Sequence, residues 1–352
     1  MNIYLLNMFL TIIWGSIFLN KKKPYKKVFI AIVSFQMILI SGLRDISIGA
    51  DTWNYENHFY ELIEMDFYSW KNLALRIFQF GSYNARDIGY EMATKLFGML
   101  IPNFRIYLFA IAIFVCGGLG RFLYKYSENL CLSYVLFQSF LLQFFLLTGI
   151  RQTIAVALTV FWGYELILEK KLGKYIILCL IATTFHSTAI IMIPFYFVCN
   201  YKKDIIGKYF VGIVLSVLFL SFGSRIFQYL PLGMFSSYAD SHGISSYTFI
   251  FMMLIIVVVT GILDKTHYLK VRDKNDRNMV NGTIISEVLI ATSAVLDVLF
   301  RLGYYYIFFM LCLLPILLRT LEEKSAKVVK IMLYTILVFY VYKMKMEYKF
   351  CF

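Results

Sequence analysis

The sequence predicts an all-α, polytopic integral membrane protein of about 11–12 transmembrane or re-entrant helices. Three observations predict it. Hydrophobic residues make up 60% of the 352-residue chain and charged residues only 16%, against roughly 25% charged residues in soluble domains. Apolar runs approaching the roughly 20 residues that a spanning helix needs recur from end to end. These runs are continuous, whereas a membrane β-barrel would alternate apolar and polar positions. No internal repeat, low-complexity tract or Pro-rich linker interrupts them, so residues 1–352 read as one membrane domain.

The first run, 3–19, is followed rather than preceded by its lysines and ends in no small-residue cleavage site, so it reads as a retained span. Sidedness comes from "KKKPYKK" (21–27), because basic loops stay in the cytoplasm. That puts the amino terminus outside and sends the second run, 28–43, outward. Residues 44–103 then form the largest external loop, with five basic residues against eight acidic ones, the reverse of the internal loops. Within it, "DIGYEMATKLFGMLI" (87–101) has helical apolar spacing but is short for spanning, which predicts a helix along the membrane surface.

Runs 104–124, 131–148 and 152–168 alternate, placing "SEN" (127–129) and "EKKLGK" (169–174) inside and "TGIRQ" (148–152) outside. The run 175–199 has two readings. As one span it puts "YKKDIIGK" (201–208) and the basic 264–279 loop outside, against the charge rule. As two legs of about 12 residues, each covering roughly 18 Å of a roughly 30 Å core, it re-enters with "TFHSTA" (184–189) at its tip. Irregular backbone at that depth needs cover from protein or water. The re-entrant pair is the preferred expectation. Runs 206–222, 248–263, 280–299, 303–319 and 328–343 then leave 223–247 and "FRLGYYY" (300–306) outside and "RTLEEKSAK" (319–327) inside. The carboxyl end falls outside, where Lys343, Lys345 and Lys349 break the rule.

The formal charge of +13 sits in short loops. None is long or aromatic enough for a nucleic-acid groove, so the charge reports topology and attraction to the lipid bilayer, with no nucleic-acid partner. The six cysteines lie mostly in or beside apolar runs with no Cys-x-x-Cys pair, which marks packing residues rather than a disulfide frame or zinc. His58, His242 and His267 add no ligand spacing to His186, and no metal or cofactor is expected.

Ionisable groups near the apolar layer cost a few kcal/mol unless paired or hydrated, so each is a functional candidate. Arg44 opens the large external loop, Arg151 follows Gly149 at an external junction, and Arg301 follows Asp297 by four residues at another. A guanidinium fork suits phosphate oxygens, which makes a diphosphate at the membrane surface the natural ligand of this arginine set. The plainer alternatives are an intrahelical pair of Arg301 with Asp297, and a pair of Arg44 with Asp45 or Asp51. His186 sits among Thr183, Thr184, Ser187 and Thr188. Its imidazole can serve as general base, as a donor to phosphate, or simply as an interhelical hydrogen-bonding group. Asp51 can take a proton from a sugar hydroxyl or cap the helix that begins "TWNYENHFYELIEM". Glu165, Glu287 and Asp297 are secondary candidates. Tyr55, Tyr90 and Tyr304–Tyr306, near external ends, read as an interfacial belt in preference to a sugar channel.

The ordered segments "GLRDISIGADTWNY", "GIRQTIAVAL", "LIATTFHSTAIIMIPFY" and "RLGYYYIFFMLCLLP" resemble the EpsG family of Wzy-type bacterial polysaccharide polymerases. The resemblance is strongest over 41–55 and 149–194 and names nothing in 223–247. It implies a glycosyltransferase that joins oligosaccharide repeat units carried on undecaprenyl diphosphate, at the external face of the bacterial cytoplasmic membrane, beside a flippase and a chain-length regulator. The positions matching the family's motifs are Arg44, Asp45, Gly49, Asp51, Tyr55, Gly149, Arg151, Gln152, His186 and Arg301. Arg44, Arg151 and Arg301 are then expected on the diphosphate, with His186 or Asp51 as base and Asp45, Gln152 and Tyr55 in support. The rival classes are a polysaccharide acyltransferase, which needs no external arginine set, and a lipid-oligosaccharide transporter, which predicts two related halves.

Overall fold

A computed structural model describes residues 2–75, 87–201, 207–227, 247–266, 269 and 274–352. Among them the regular elements are helical, apart from one isolated β-bridge between Arg44 and Phe350. In chain order the helices are α1 (Ile3–Phe18), α2 (Lys26–Gly42), α3 (Thr52–Glu64), α4 (Phe67–Leu75), α5 (Ile88–Leu100), α6 (Phe104–Tyr126), α7 (Leu130–Phe140), α8 (Ile150–Val156), α9 (Tyr164–Leu168), α10 (Leu172–Phe185), α11 (Ile193–Asn200), α12 (Lys208–Phe227), α13 (Tyr247–Lys265), α14 (Lys274–Ala291), α15 (Phe300–Gly303), α16 (Ile307–Leu318) and α17 (Glu323–Lys343). This is an all-α polytopic membrane protein.

Among the described residues, three helical stretches are by themselves long and apolar enough to cross a membrane: α6, Thr248–Lys265 within α13, and α17. The expected runs 131–148 and 152–168 are instead built from α7, α8 and α9 joined by wide π-helical turns at Gln143–Thr148 and Ala157–Trp162. Hydropathy reads these runs as continuous because a change of hydrogen-bond register leaves composition untouched. Such turns are frequent at functional sites. Most of 223–247, together with His242, His267 and most of the 264–273 stretch, lies outside the described residues.

The chain divides into two compact units, 1–193 with 327–352, and 194–326. In the first unit α2 packs along α6, and Gly120 lets Ile30 and the Tyr134 hydroxyl approach the helix backbone. The thiol of Cys131 packs into the space that Gly15 leaves, and all six cysteines are free, five of them buried. Glu165 is held by Arg121 and Lys125. The carboxyl tail folds back over the end of α2. Tyr348 donates its hydroxyl to the Ile40 carbonyl at 2.8 Å, and the Asp45 and Cys351 amides bond the Lys349 and Leu43 carbonyls at 2.9 and 3.0 Å.

α5 buries one side against its neighbours and leaves Leu96, Met99 and Leu100 exposed. It packs on α3 and α10, burying Tyr90 and Thr94, and the ammonium of Lys95 donates to the Ile63 and Met65 carbonyls at 2.8 and 2.7 Å. Those carbonyls lack partners within α3, so Lys95 acts as its C-cap.

The ambiguous 175–199 run folds back on itself. α10 ends at Phe185, His186 takes extended backbone, and a 3₁₀ turn covers Ser187–Met192. The Tyr175 hydroxyl donates to the Met192 carbonyl at 3.3 Å, 17 residues on. In one continuous helix these residues would stand about 25 Å apart.

In the second unit α14 lies against α12, α13, α15 and α16, and begins earlier than hydropathy predicts. The start is stabilised by Arg319, which donates to Asp276 at 2.8 Å. Glu287, fully buried, accepts the Ser216 hydroxyl at 2.6 Å.

Candidate active site

The 41–55 segment forms a docking loop. α2 ends at Gly42, where Arg105 donates to the Gly42 and Arg44 carbonyls at 3.0 and 2.9 Å. Gly49 has φ +91°, and a Cβ there would stand 1.9 Å from the Leu147 carbonyl oxygen, so this turn requires glycine. The Ser41 hydroxyl donates to the Leu146 carbonyl at 2.8 Å, and that of Thr52 lies 3.2 Å from the Leu147 carbonyl. The loop thus holds the π-helical turn that leads into Arg151.

Arg44 points inward. It is 1% exposed, with Nη1 on the Ser41 carbonyl and hydroxyl and Nε 3.4 Å from the Thr52 hydroxyl. Burial pushes its guanidinium down to about 10, still charged at neutral pH. With Nε and Nη1 Arg44 clamps the loop, while its buried Nη2 has no partner among the described residues. Its neighbour Asp45 accepts from the Ser47 amide and hydroxyl at 3.0 and 2.7 Å, bonds that hold its carboxyl below the usual range.

Arg151 follows Gly149, where an added Cβ would fall 2.6 Å from the Phe144 ring, and stands in the first turn of α8. Its Nη1 donates to Asp87 Oδ2 at 3.1 Å, and its guanidinium lies 4.9 Å from the Tyr90 ring centre and 5.6 Å from that of Tyr55. Those rings meet edge to face at 5.8 Å. Beneath them lies an apolar core that includes Phe59, Phe104, Tyr107, Ile150 and Ile154. Burial, partly offset by the Arg151 charge, pushes the Tyr55 hydroxyl up to about 12, so it remains a neutral donor.

Asp87 has φ +59°, left-handed backbone that costs a non-glycine residue roughly 1 kcal/mol or more. Its carbonyl accepts the Tyr90 and Glu91 amides of the first turn of α5, while its carboxylate makes no cap bond and faces Arg151 and His186. His186 Nδ1 lies 3.8 Å from Asp87 Oδ1. The approach depends on Gly89, whose Cβ would fall 2.0 Å from the Thr184 hydroxyl at the end of α10. At the rim, His58 Nε2 faces Glu91 at 3.5 Å and Nδ1 faces Glu61 at 3.4 Å. These contacts, the Glu91 bond first, raise the His58 imidazole above its ordinary value.

A model of the EpsG family matches residues 27–352, nearly the whole chain. The chain belongs to the EpsG family. This is a family of Wzy-type polysaccharide polymerases, so a polymerase-type role in polysaccharide synthesis follows for this membrane chain. No curated protein and no solved structure matches it.

In this EpsG chain the structure brings Tyr55, Arg151 and His186 together around Asp87, a residue that the sequence reading does not single out. Asp51 occupies the N-cap position of α3 without a side-chain cap bond and lies near Tyr55. Gln152 is buried beside Arg151. Arg301 is on α15 in the second unit, and the side chain of Asp297, its expected partner, is outside the described residues.

Proposed function

We propose that this EpsG-family chain is a glycosyltransferase that polymerises oligosaccharide repeat units carried on undecaprenyl diphosphate, at the external face of the bacterial cytoplasmic membrane. The observation that supports this reading best is the Asp87–Arg151 pair, 3.1 Å apart and backed by two tyrosine rings, with His186 on the same carboxylate.

In the reaction, a hydroxyl of the incoming unit attacks the anomeric carbon of the growing chain. The new glycosidic C–O bond forms as the bond to the diphosphate breaks, and the electron pair leaves with the lipid diphosphate. Charge grows on that leaving group, so a guanidinium held in place beforehand stabilises the transition state more than the ground state. Arg151 has that role. The hydroxyl proton passes to His186 through Nε2, and Asp87 beside Nδ1 stabilises the imidazolium that forms. Asp51 is the second candidate base. Direct displacement inverts the anomeric centre, which linkage analysis of product against donor checks. The reaction draws on no metal, so a chelator should leave the rate unchanged.

The test is a gel of lipid-linked and surface polysaccharide from cells with the gene deleted, then restored as wild type or Arg151→Ala. Collapse of a high-mass ladder to single repeat units, rescued by wild type alone, supports polymerisation. An intact ladder that has lost acyl groups points to decoration instead, and loss of the external single unit points to transport.

A further inference from the structure

Away from the candidate site, the first unit has an unassigned cavity of about 490 Å³ at the end of the bundle formed by the start of α2, the end of α1 and the start of α7. Lys26 and Lys330 line it with Ser16, Asn20 and Asn129, and Glu128 is the carboxylate on its wall. Two ammonium groups against one carboxylate leave it cationic, and the exposed Lys21–Lys23 and Lys27 beside it add to the field. Ile12 and Tyr334 line this cavity and also a second, apolar space of about 640 Å³. That space is a groove between α1 and α17, walled by Leu5 and Phe9 on one side and Val338, Phe339 and Tyr342 on the other. Phe9, Phe339 and Tyr342 are 47%, 58% and 62% exposed, so the groove is open to the surroundings.

The groove residues follow helical spacing. Leu5, Phe9 and Ile12 rise about 10 Å along α1, and Tyr334, Val338 and Tyr342 about 12 Å along α17, enough for much of an acyl chain. A cationic, hydroxyl- and amide-lined chamber that shares two wall residues with an apolar channel fits an amphiphile with an anionic head. A partner helix would fill the groove but would leave the two lysines facing an empty chamber.

We propose that this crevice binds an anionic glycerophospholipid, its phosphate between Lys26 and Lys330, its glycerol head on Ser16, Asn20 and Asn129, and an acyl chain along the α1–α17 groove. The basic loop 21–27 assigns the site to the cytoplasmic leaflet, opposite the face proposed for catalysis. The bound lipid would close the seam between the first and last spanning helices, and so tie the carboxyl tail over Arg44 to the lipid composition around the protein.

The experiment uses the full chain purified in a neutral detergent. Thermal unfolding is followed while dioctanoyl phosphatidylglycerol, dioctanoyl phosphatidylcholine, inorganic phosphate or a short polyprenyl phosphate is added, and native mass spectrometry counts bound lipid. Phosphatidylglycerol should raise the unfolding midpoint and appear as one retained molecule, while phosphatidylcholine and phosphate do neither. The Lys26→Ala/Lys330→Ala variant should bind it roughly 25-fold more weakly, from about a factor of five per lysine. Val338→Trp, which fills the groove and keeps both lysines, should also lose the retained molecule. Equal binding of phosphatidylcholine, unchanged binding by both variants, or a preference for polyprenyl phosphate over phosphatidylglycerol would overturn the assignment. Lipid binding is read without sugar transfer, so it stands or falls independently of the polymerase reading.

Discussion

Asp87 and Arg151, 64 residues apart in sequence, form a 3.1 Å ion pair in which the carboxylate side chain is 5% exposed and the guanidinium side chain 29%. The carboxylate is the more enclosed partner, and the guanidinium keeps a face for ligand. Asp87→Asn keeps the shape and tolerates left-handed backbone, so its loss is chemical rather than conformational. It should lower the rate of ladder formation by on the order of 10²-fold, with a fall in unfolding free energy of about 2 kcal/mol from the lost charge-assisted bond. Polymer-length gels and thermal unfolding of the purified variant measure the two effects, and a wild-type ladder would show that the pair is structural alone.

Arg44 and Arg151 should separate in the same assays. Arg44→Ala empties a buried site and strands the loop polar groups that it holds, a loss of roughly 3 kcal/mol that lowers folded yield and unfolding temperature. Activity per folded molecule should stay within about threefold of wild type. Arg151→Ala should do the opposite, losing about 10²-fold or more in rate with a smaller change in stability. Equal losses in rate per folded molecule would return Arg44 to the ligand.

These residues show what the sequence makes legible. Arg44, Arg151 and His186 stand out because charge or polarity beside apolar runs is costly, and the basic loops around 175–199 hint at the helix break after Phe185. Asp87 is hidden because an acid in an acidic external loop is ordinary. What distinguishes it is its φ of +59° and two partners from distant segments, neither of which composition encodes. The one local hint is Gly89 two residues later, a gap where α5 and α10 meet. Arg44 shows the complementary limit: hydropathy places it at a boundary but does not say which way the side chain turns.

Gly49 should be the least replaceable position of the 41–55 loop. Gly49→Ala combines a φ of +91° with a Cβ 1.9 Å from the Leu147 carbonyl oxygen, so the loop must lift from the turn before Arg151. A destabilisation of roughly 2–3 kcal/mol is expected, with protease cleavage appearing in the 41–52 segment. Unaltered proteolysis would mean that this docking does not hold the loop.

His58 gives the α3–α5 contact a pH dependence. Its folded-state value is raised, chiefly by the Glu91 hydrogen bond. The stabilisation is therefore complete below the unfolded value of about 6.5 and is lost as pH rises through the higher folded value. Thermal unfolding of wild type should weaken relative to His58→Gln across that window. Parallel curves for the two proteins from acid to alkaline pH would contradict it.

The ranking of His186 against Asp51 rests on the Asp87 carboxylate, 3.8 Å from the imidazole. A base assisted in this way carries about 10²–10⁴-fold of rate, so His186→Gln should abolish the ladder while leaving lipid-linked single units intact. Asp51→Asn removes a carboxylate that makes no cap bond on α3, so both rate and stability should change by less than about tenfold in rate and 1 kcal/mol in stability. If Asp51→Asn were the null variant and His186→Gln kept its ladder, the proton would pass to Asp51. His186 would then be a positioning residue for Asp87, and its variant should still weaken polymerisation through a looser Arg151.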